Sequence, residues 1–466
     1  MSTVVGVDSS TQSCKVLAVE AETGEVRSSG VAAHPDGTAI DPRVWSTALH
    51  EAWDGAGIRS LGTQVIGAGV AAQQHGMVAL DDRDRPVFDA LLWNDTRSAG
   101  QADRMREELG NEAWLEATNL VPVASFTITK LAWLAENKPE LAERVARVVL
   151  PHDWLNHELT GKYSTDRSEA SGTGYFSPLS NRYQPKLLEQ YFGRVPELPK
   201  VLGSHEAAGS LLAGWGNDAA IVSPGAGDNA AAALGLGLEN GEVVVSIGTS
   251  GTVFTTSPIP AHDPTGAVAG FADATGNHLP LLATLNAARV MFAGAAMLDV
   301  DLQTFDRLAR DAAPDAEGLT LLPYLDGERT PNLPNASGTL LGLTRSNMTA
   351  GNVARASVLG VLNSLADGLE SLRGHGIDVR KVLLIGGGSK SRSLRAAAAS
   401  IFGVPVEVPA IREYVALGAA RQAAWTAHGE FPDWRREIDA SYQPEGDWGA
   451  EVRARYVAAR QRVYGV

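Results

Sequence analysis

The order of hydrophobic and polar positions near the N-terminus predicts short β-strands joined by tight turns. Residues 4–7 are mainly β-branched, residues 14–20 alternate between apolar and polar, and a third strand is predicted from Val26 onwards. Such runs, bounded by turn-forming residues, are typical of an antiparallel meander. Residues 44–54 then show the spacing of a helix. Residues 65–72 form a continuous run of small and apolar residues, which is expected of a buried strand.

Helical spacing recurs along the rest of the chain, between shorter apolar strands. Residues 278–300 form the longest apolar stretch, and Asn286 and Arg289 near its middle favour a buried helix flanked by strands over a membrane span. Residues 177–199 are rich in proline and aromatic residues and are predicted to form an irregular excursion with one helix. The other predicted elements are strands at 77–80, 243–247, 252–256 and 382–385, and helices at 97–109, 128–145, 152–160, 226–237, 350–373, 391–402, 414–428 and 451–464.

One pattern occurs twice in the chain. A shift of 238 positions aligns residues 7–13 (VDSSTQS) with residues 245–251 (VSIGTSG), and each is a strand end, a turn of small residues and the start of another strand. The repetition predicts a duplicated architecture with two domains facing each other across a cleft. A chance similarity between two hairpins is the alternative, and the pattern alone does not decide between them.

Length and composition narrow the classes of protein. A chain of 466 residues exceeds what one hydrophobic core usually serves, so two domains are expected. The net charge of −15 disfavours binding to nucleic acid or to an anionic membrane. Cys14 is the only cysteine, which excludes a disulfide framework and a cysteine-based zinc site. The N-terminus enters a strand without a basic segment, so no signal peptide is predicted and the protein is expected to be soluble and cytoplasmic.

Three turns rich in Gly, Ser and Thr each follow an apolar strand. In the first, at 8–13, Asp8 suits a Mg²⁺ ion held through waters beside phosphate oxygens, although an ordinary Asx turn is the alternative. The second, at 246–251, can cradle a phosphate but has no carboxylate. In the third, at 386–389, glycines allow close approach of a ligand, with a plain strand-to-helix turn as the alternative.

Two common nucleotide-binding motifs are excluded. The chain contains no G-x-x-x-x-G-K-[ST] sequence, so it is not a P-loop enzyme. Residues 67–72 match the G-x-G-x-x-A pattern of dinucleotide-binding folds. That fold requires a helix at this point, whereas residues 73–76 (QQHG) break the chain and another strand follows.

Polar residues in three other segments are candidates for binding a small substrate. Asp228 lies in the segment PGAGDNA (224–230), where a carboxylate can be a catalytic base or the N-cap of a helix. Gln74 and His75 follow a buried strand and could bind sugar hydroxyls, although a histidine at a strand end is more often structural. Trp93, with the polar residues after it, offers an aromatic wall or simply a capped helix start.

Taken together, these segments resemble the FGGY family of carbohydrate kinases, within the actin/hexokinase/Hsp70-like superfamily, and most closely its xylulokinase branch. The resemblance extends over nearly the whole chain in the family's order. It is carried by nine short segments: 7–15, 73–76, 92–97, 150–155, 166–173, 225–237, 246–251, 322–331 and 384–389.

The resemblance implies an α/β fold with two ribonuclease-H-like domains, of the actin/hexokinase ATPase type, flanking a central cleft. Residues 1–238 would form the sugar-binding domain with the first phosphate loop, residues 239–432 the nucleotide-binding domain, and residues 433–466 a helical tail. ATP and Mg²⁺ would be the cofactors, and the reaction would convert D-xylulose to D-xylulose 5-phosphate. The partners would then be the sugar and ATP, with no nucleic acid and no membrane; the sequence leaves a homodimer open.

The resemblance also implies a role for each matching residue. Asp228 would accept the proton of the attacking hydroxyl, Asp8 would be associated with the metal, and Gln74, His75, Asn229 and Trp93 would contact the sugar. The residues implied to bind ATP are Thr11, Gly248, Thr249, Gly386, Gly387, Gly388 and Ser389. The chain departs from the family pattern at Ser10 and Ser13, where glycines are usual, and at Leu359, where an acidic residue is usual.

Other functions remain possible on this fold. A kinase for ribulose, fuculose, gluconate or glycerol would share the ATP motifs, and only the segments around Gln74 and Trp93 favour xylulose. A sugar-sensing regulator or a chaperone-like ATPase would lack the base or the sugar pocket, and would often carry a further binding module. The presence of Asp228 and the acidic composition favour an enzyme.

Overall fold

The structure, a computed structural model, describes residues 2–466 and contains two lobes that are each built on a seven-stranded mixed sheet. The strands of the first half of the chain are β1 (Thr3–Ser9), β2 (Ser13–Glu20), β3 (Val26–Ala33), β4 (Ala39–Ile40), β5 (Val65–Ala72), β6 (Val78–Leu80), β7 (Ala90–Leu91), β8 (Arg147–Val149), β9 (Ser164–Asp166), β10 (Phe176–Ser177), β11 (Arg182–Tyr183), β12 (Lys200–Leu202), β13 (Gly209–Ser210), β14 (Ile221–Val222) and β15 (Ala226–Gly227). The helices of this half are α1 (Arg43–Gly55), α2 (Ile58–Leu61), α3 (Ala99–Leu109), α4 (Asn111–Thr118), α5 (Thr127–Asn137), α6 (Pro139–Ala142), α7 (Pro151–Thr160), α8 (Arg167–Ser171), α9 (Pro185–Phe192) and α10 (Asp228–Leu236).

The second half of the chain forms the other lobe and ends in a long helix. Its strands are β16 (Glu242–Ile247), β17 (Gly251–Phe254), β18 (Ala269–Ala272), β19 (His278–Thr284), β20 (Thr320–Leu322), β21 (Thr339–Leu341), β22 (Lys381–Ile385), β23 (Val406–Pro409) and β24 (Ile438–Tyr442). Its helices are α11 (Ala288–Met297), α12 (Leu302–Asp311), α13 (Ala350–Gly374), α14 (Arg392–Phe402), α15 (Tyr414–His428) and α16 (Trp448–Tyr464).

The two sheets share one topology, which confirms the predicted duplication. In the first lobe the order is β13-β14-β5-β1-β2-β3, and the seventh strand, β15, pairs with the end of β5; in the second lobe the order is β18-β19-β17-β16-β22-β23-β24. β1 pairs antiparallel with β2 and parallel with β5, and β16 likewise pairs antiparallel with β17 and parallel with β22. The turns after β1 and β16 therefore occupy equivalent places, each at the carboxyl end of a central strand, where open α/β sheets bind ligands.

Two helices of small residues cross between the sheets. Alanines of α10 pack against β16, β17 and β22 of the second sheet, whereas α15 packs against β1 and β2 of the first sheet. The helices approach so closely that a Cβ atom on Gly418 would lie less than 3 Å from the carbonyl oxygen of Ala231. A Cβ atom on Gly235 would meet the carbonyl oxygen of Tyr414 in the same way. Glycine at these positions therefore allows each helix to cross onto the other lobe's sheet.

The structure corrects two predicted helices. Residues 278–300 form strand β19 and then helix α11, because buried Asn286 lies at the junction and its Nδ2 donates a hydrogen bond to the Gly327 carbonyl (2.6 Å). A short apolar run fits a buried strand or a buried helix equally well, so its pattern did not reveal the change. The helix predicted over residues 128–145 ends at Asn137, because Pro139 disfavours helical geometry in the residue before it.

The last 34 residues contribute to the second lobe. Strand β24 pairs antiparallel with β23 and completes the sheet, and Val452 of α16 packs into the main core of that lobe. The segment predicted as a helical tail thus contains a strand as well as a helix. Within residues 2–466, no helix is both long and apolar enough to cross a membrane.

Candidate active site

Asp8 lies near the end of β1, beside the first of the two equivalent turns. Its side chain is 3% exposed and accepts a hydrogen bond from the Ser10 hydroxyl. Burial raises the pKa of Asp8 to about 7, and the nearby charges of Asp228 and Glu413 act in the same direction. Lys15, opposite Asp8 in the hairpin, forms an ion pair with Glu413 of the second lobe (2.6 Å). The first turn therefore lies between the lobes and holds a carboxylate whose negative charge is costly.

These residues fit a magnesium ion that is held mainly by other ligands. A divalent cation would offset the cost of charging Asp8, and the hydroxyl of Ser9 beside it is buried without a hydrogen-bond partner. The described part of the chain contains no group of three His, Cys, Asp or Glu side chains that could hold a metal by themselves. Mg²⁺ commonly keeps several waters and binds through one or two carboxylates and substrate phosphates, and Asp8 meets that requirement.

Thr11 and Trp93, which were predicted to contact different substrates, contact each other. The indole Nε1 of Trp93 donates a hydrogen bond to the Thr11 hydroxyl (2.9 Å), and Trp93 remains 41% exposed. The segment that carries Trp93 is held in place by Asp95, which accepts hydrogen bonds from Thr38 (2.8 Å) and Arg97 (2.7 Å). The indole of Trp93 therefore lies against the first turn.

Asp228 is the first residue of α10 and directly follows β15, which pairs with the end of β5. One carboxylate oxygen accepts hydrogen bonds from the backbone N–H (2.7 Å) and the side-chain amide (2.8 Å) of Asn229. Burial raises the pKa of Asp228 to about 6, while part of the side chain stays open to solvent. The result is an oriented carboxylate, still mainly ionised at neutral pH, whose second oxygen is free to accept a proton.

Gln74 and His75 follow β5 beside Asp228. The Gln74 amide nitrogen donates to the Ser168 carbonyl (3.2 Å), and its side chain packs against Gly227, so Gln74 supports the backbone next to Asp228. Nδ1 of His75 faces the Gly172 carbonyl (2.8 Å), which requires a proton on Nδ1 and leaves Nε2 as an acceptor. Burial, together with the charge of Lys130, lowers the pKa of His75 to about 3, so the ring stays neutral.

Two residues that the sequence analysis missed lie beside His75. Lys130 is fully buried in α5, and its ammonium group donates to the carbonyls of His75 (2.7 Å) and Ser125 (2.7 Å). A lysine inside an otherwise apolar helical pattern was the available signal. Phe271 of β18 reaches the His75 ring from the second lobe, with 5.4 Å between ring centroids, so both lobes shape the surroundings of His75.

The second turn and the glycine triplet lie together in the second lobe. Gly248 and Thr249 accept hydrogen bonds from the backbone N–H groups of Ala288 (3.0 Å) and Ala287 (3.3 Å), which ties the turn to α11. Gly386 and Gly388 pack against Ile247 so closely that a Cβ atom on either would lie less than 3 Å from it.

Within the triplet the individual residues have different surroundings. A Cβ atom on Gly387 would meet nothing within 4 Å, so only this glycine has open space beside it. The hydroxyl of Ser389 donates to the Gly386 carbonyl (2.7 Å) and is thereby engaged in the turn itself. Close packing against Ile247 is therefore the reason for glycine at positions 386 and 388, two of the three glycines that were predicted to face a ligand.

Most of the predicted ATP-binding residues line one cavity of about 1040 Å³. Gly248, Thr249, Gly387 and Gly388 line it, together with Phe292 of α11 and residues of α12. Four cationic side chains also border it, and the sequence analysis singled out none of them: Arg307, Arg310, Lys390 and Arg392. A space of this size with an aromatic ring and several cations suits a nucleoside polyphosphate.

Both lobes match models of one family. The model of the N-terminal domain of the FGGY family of carbohydrate kinases matches residues 3–235, and that of the C-terminal domain matches residues 243–427. The chain belongs to the FGGY family of carbohydrate kinases. Membership confirms the predicted resemblance and the two-domain α/β fold, and it makes the protein an ATP-dependent carbohydrate kinase.

Within the family the chain is similar to several xylulose kinases. It is 46% identical to that of Streptomyces coelicolor over 436 residues, covering 92% of this chain and 88% of the relative. It is 33% identical to that of Haemophilus influenzae, with 91% of each covered. The solved structure of the Bifidobacterium adolescentis xylulose kinase superposes with a TM-score of 0.92 at 43% identity, covering 98% of this chain and 99% of that one.

The charge of Asp8 leads to a prediction about the stability of this kinase in the absence of metal. Because the pKa of Asp8 is about 7 in the folded state and near 3.8 without burial, the folded state retains a proton that the unfolded state releases. The contribution of the Asp8 carboxyl to the free energy of unfolding is fully present below pH 4 and is lost as the pH rises towards 7. We therefore expect Asp8→Asn to raise the melting temperature in EDTA by a few degrees at pH 8 and by less at pH 5.

The comparison uses Asp82→Asn, a change at an exposed aspartate after β6, as its control. Calorimetry of the three proteins without nucleotide, from pH 5 to pH 8, measures the effect. A melting temperature for Asp8→Asn below that of the wild type at pH 8 would contradict it.

Proposed function

We propose that the protein phosphorylates D-xylulose at its C5 hydroxyl with ATP, which yields D-xylulose 5-phosphate and ADP. The observation that carries the proposal is the position of Asp228: a half-buried carboxylate with a pKa near 6, at a helix N-terminus and next to Gln74 and His75. The similarity to xylulose kinases over nine tenths of the chain supports the choice of sugar. No observation favours a second substrate.

In the proposed reaction Asp228 acts as the general base. The C5 oxygen attacks the γ-phosphorus in line, a P–O bond to the sugar forms, and the bond from the γ-phosphorus to the β–γ bridging oxygen breaks. The hydroxyl proton passes to the free oxygen of Asp228, and the bridging oxygen leaves with ADP. A base of this kind is worth roughly 10²–10⁴-fold in rate. Asn229 keeps the carboxylate oriented throughout, because both of its N–H groups bind the other oxygen.

The sugar would lie against the wall formed by residues 74–75 and Trp93. Nε2 of His75 accepts a hydrogen bond from a sugar hydroxyl, since Nδ1 is bound to Gly172. Trp93 offers an apolar face next to the first turn. An analogue that lacks the bonded hydroxyl would leave Nε2 without a partner, and an unpaired buried acceptor costs about 1–3 kcal/mol.

The nucleotide would occupy the cavity between the second turn and α12. Gly248 and Thr249 lie at its phosphate end in this proposal, Gly387 gives the adenosine access to the backbone, and Gly386, Gly388 and Ser389 shape the turn. Thr11 lies in the equivalent turn of the first lobe. We propose that Mg²⁺ binds near Asp8 through waters and that, when bound, it neutralises charge on the phosphate oxygens.

A panel of substrates tests the proposed function. We expect kcat/KM for D-xylulose to exceed the values for D-ribulose, L-ribulose, L-fuculose, gluconate and glycerol by at least about tenfold, because the proposed site matches the hydroxyls of one sugar. ADP release is measured with a coupled assay at saturating MgATP. A kcat/KM for any other compound tenfold above that for D-xylulose would overturn the choice of sugar. No turnover with any of the six would overturn the proposed function.

A further inference from the structure

The loop after β20 carries Arg329 and is tightly anchored at the end of β19. The preceding residue, Glu328, is 1% exposed, and its carboxylate accepts hydrogen bonds from the backbone of Leu285 (2.6 Å) and from the side chain of Asn286 (3.0 Å). The following residue, Thr330, donates through its hydroxyl to the Ala283 carbonyl (3.0 Å). With both neighbours bound to the polypeptide around β19, the backbone at Arg329 is held in place.

This anchoring puts Arg329 beside the second turn. Thr284, the last residue of β19, pairs with Gly251, the first residue of β17 and the last of the turn. Ala287, three residues later, donates its N–H to the Thr249 carbonyl. The loop of Arg329 is bound to the polypeptide on either side of Thr284. It therefore borders the turn at which the terminal phosphates of ATP are proposed to lie.

Arg329 is also close enough to His75 of the first lobe for its charge to act on that ring. The charge adds to the effects of burial and of Lys130 in lowering the pKa of His75. The ring of Phe271, which belongs to the second lobe, also lies next to the His75 ring. The loop of Arg329 therefore belongs to the second lobe, borders the phosphate turn and carries a charge that acts on His75 of the first lobe.

The guanidinium group of Arg329 has no counterion. Within residues 2–466 it makes no hydrogen bond and no ion pair, although its side chain is exposed and the surrounding protein lowers its pKa. The neighbouring Arg289 is different, because it pairs with Asp326 of the same loop (2.8 Å). An arginine without a partner beside the proposed phosphate turn is available to bind an anionic ligand.

We propose that Arg329 is a catalytic residue whose guanidinium contacts the phosphoryl group as it moves from ATP to the sugar. This inference rests on the proposed function. During transfer the three equatorial oxygens of the phosphoryl group carry the negative charge, and arginine presents several N–H donors in a plane that matches them. Arg329 neither forms nor breaks a covalent bond: the proton still passes to Asp228 and ADP still leaves with the bridging oxygen.

Steady-state kinetics of Arg329→Ala, Arg329→Lys and the wild type test the proposal. We expect Arg329→Ala to lower kcat about a hundredfold or more, while KM for the sugar and for MgATP each change less than about threefold, because the contact is made in the transition state. Arg329→Lys should recover part of the rate. Arg373→Gln, at a partly exposed arginine paired with Glu370 near the end of α13, is the control and should leave kcat unchanged.

Chemical rescue separates a direct contact from a structural effect. Guanidinium chloride at low millimolar concentration should raise kcat of Arg329→Ala at least tenfold, with no such gain for the wild type or for Asp228→Asn. Calorimetric titration should show weaker binding of the sugar phosphate product to Arg329→Ala, with unchanged binding of the sugar. A melting temperature within a few degrees of wild type shows that the variant is folded.

Three results would overturn the proposal. One is a large rise of KM for the sugar with kcat preserved, which would make Arg329 a sugar-binding residue. The second is a loss of rate that guanidinium does not restore, and the third is an unchanged kcat. Each assay uses whichever sugar the wild type phosphorylates best, so a wrong choice of sugar and a wrong role for Arg329 give different outcomes.

Discussion

Replacing Asp228 with asparagine is expected to reduce turnover by roughly 10²–10⁴-fold, because the variant has no group at this position that can accept the hydroxyl proton. The fold should be retained. Asparagine keeps an oxygen that can accept the hydrogen bonds of Asn229, and it has nearly the same volume. The measurement is kcat at saturating sugar and MgATP, with the binding of each substrate followed by calorimetry.

Asp82→Asn serves as the matched control for Asp228→Asn, since it makes the same chemical change at an exposed position and should keep full activity. Substrate affinities of Asp228→Asn should lie within about threefold of wild type, because the missing proton transfer belongs to the transition state. A variant with near-normal kcat and normal affinity for the sugar would assign the base to another residue. Loss of binding of both substrates would instead assign Asp228 a structural role.

The crossing of α10 and α15 should tolerate no side chain at Gly418. A Cβ atom there would lie less than 3 Å from the Ala231 carbonyl oxygen, a backbone atom that cannot turn aside as a flexible side chain would. Gly418→Val must therefore separate the two helices, and with them the lobes onto which they pack. We expect destabilisation of about 3 kcal/mol or more, seen as a melting temperature lower by about 3–6 °C or more, or as failure to fold.

Gly374→Ala is the matched control for this crossing. Gly374 ends α13, and a Cβ atom on it would meet nothing within 4 Å, so alanine should be neutral or slightly stabilising. Thermal unfolding followed by circular dichroism compares the two variants with the wild type. A Gly418→Val protein that melts within about 2 °C of wild type would contradict the tight crossing.

Local sequence patterns were sufficient to predict most elements of the fold. The strands β1, β2 and β16 and the helix α15 lie within one or two residues of their predicted limits, because each has a clear apolar period between turn residues. The duplicated turn was also visible, since its two copies share spacing and small residues. The boundary between β19 and α11 within residues 278–300 was not predicted, because apolarity alone does not distinguish a buried strand from a buried helix. Buried Asn286 at this boundary was interpreted only as evidence against a membrane span.

The candidate site was predictable only in part. Asp8, Asp228 and the second turn were recognisable because carboxylates and small residues directly follow apolar strands, and strand ends are where such sheets bind ligands. The hydrogen bond between Thr11 and Trp93 joins residues 82 positions apart, and nothing local indicates it. Lys130 was missed for a similar reason, since its partners are carbonyl groups, and every residue has one.

By itself, the sequence determined the order of the elements, the repeated strand–turn–strand unit and the chemical groups available at the strand ends. These depend on neighbours within a few positions, where side-chain periodicity and turn preferences act. Only the tertiary structure decided that α15 packs on the first sheet, that two of three glycines pack against Ile247, and that the loop of Arg329 borders the second turn. Such contacts arise when distant segments pack in one core or one cleft. The free energy that stabilises them comes from burial between those segments, so the sequence of a single segment does not reveal it.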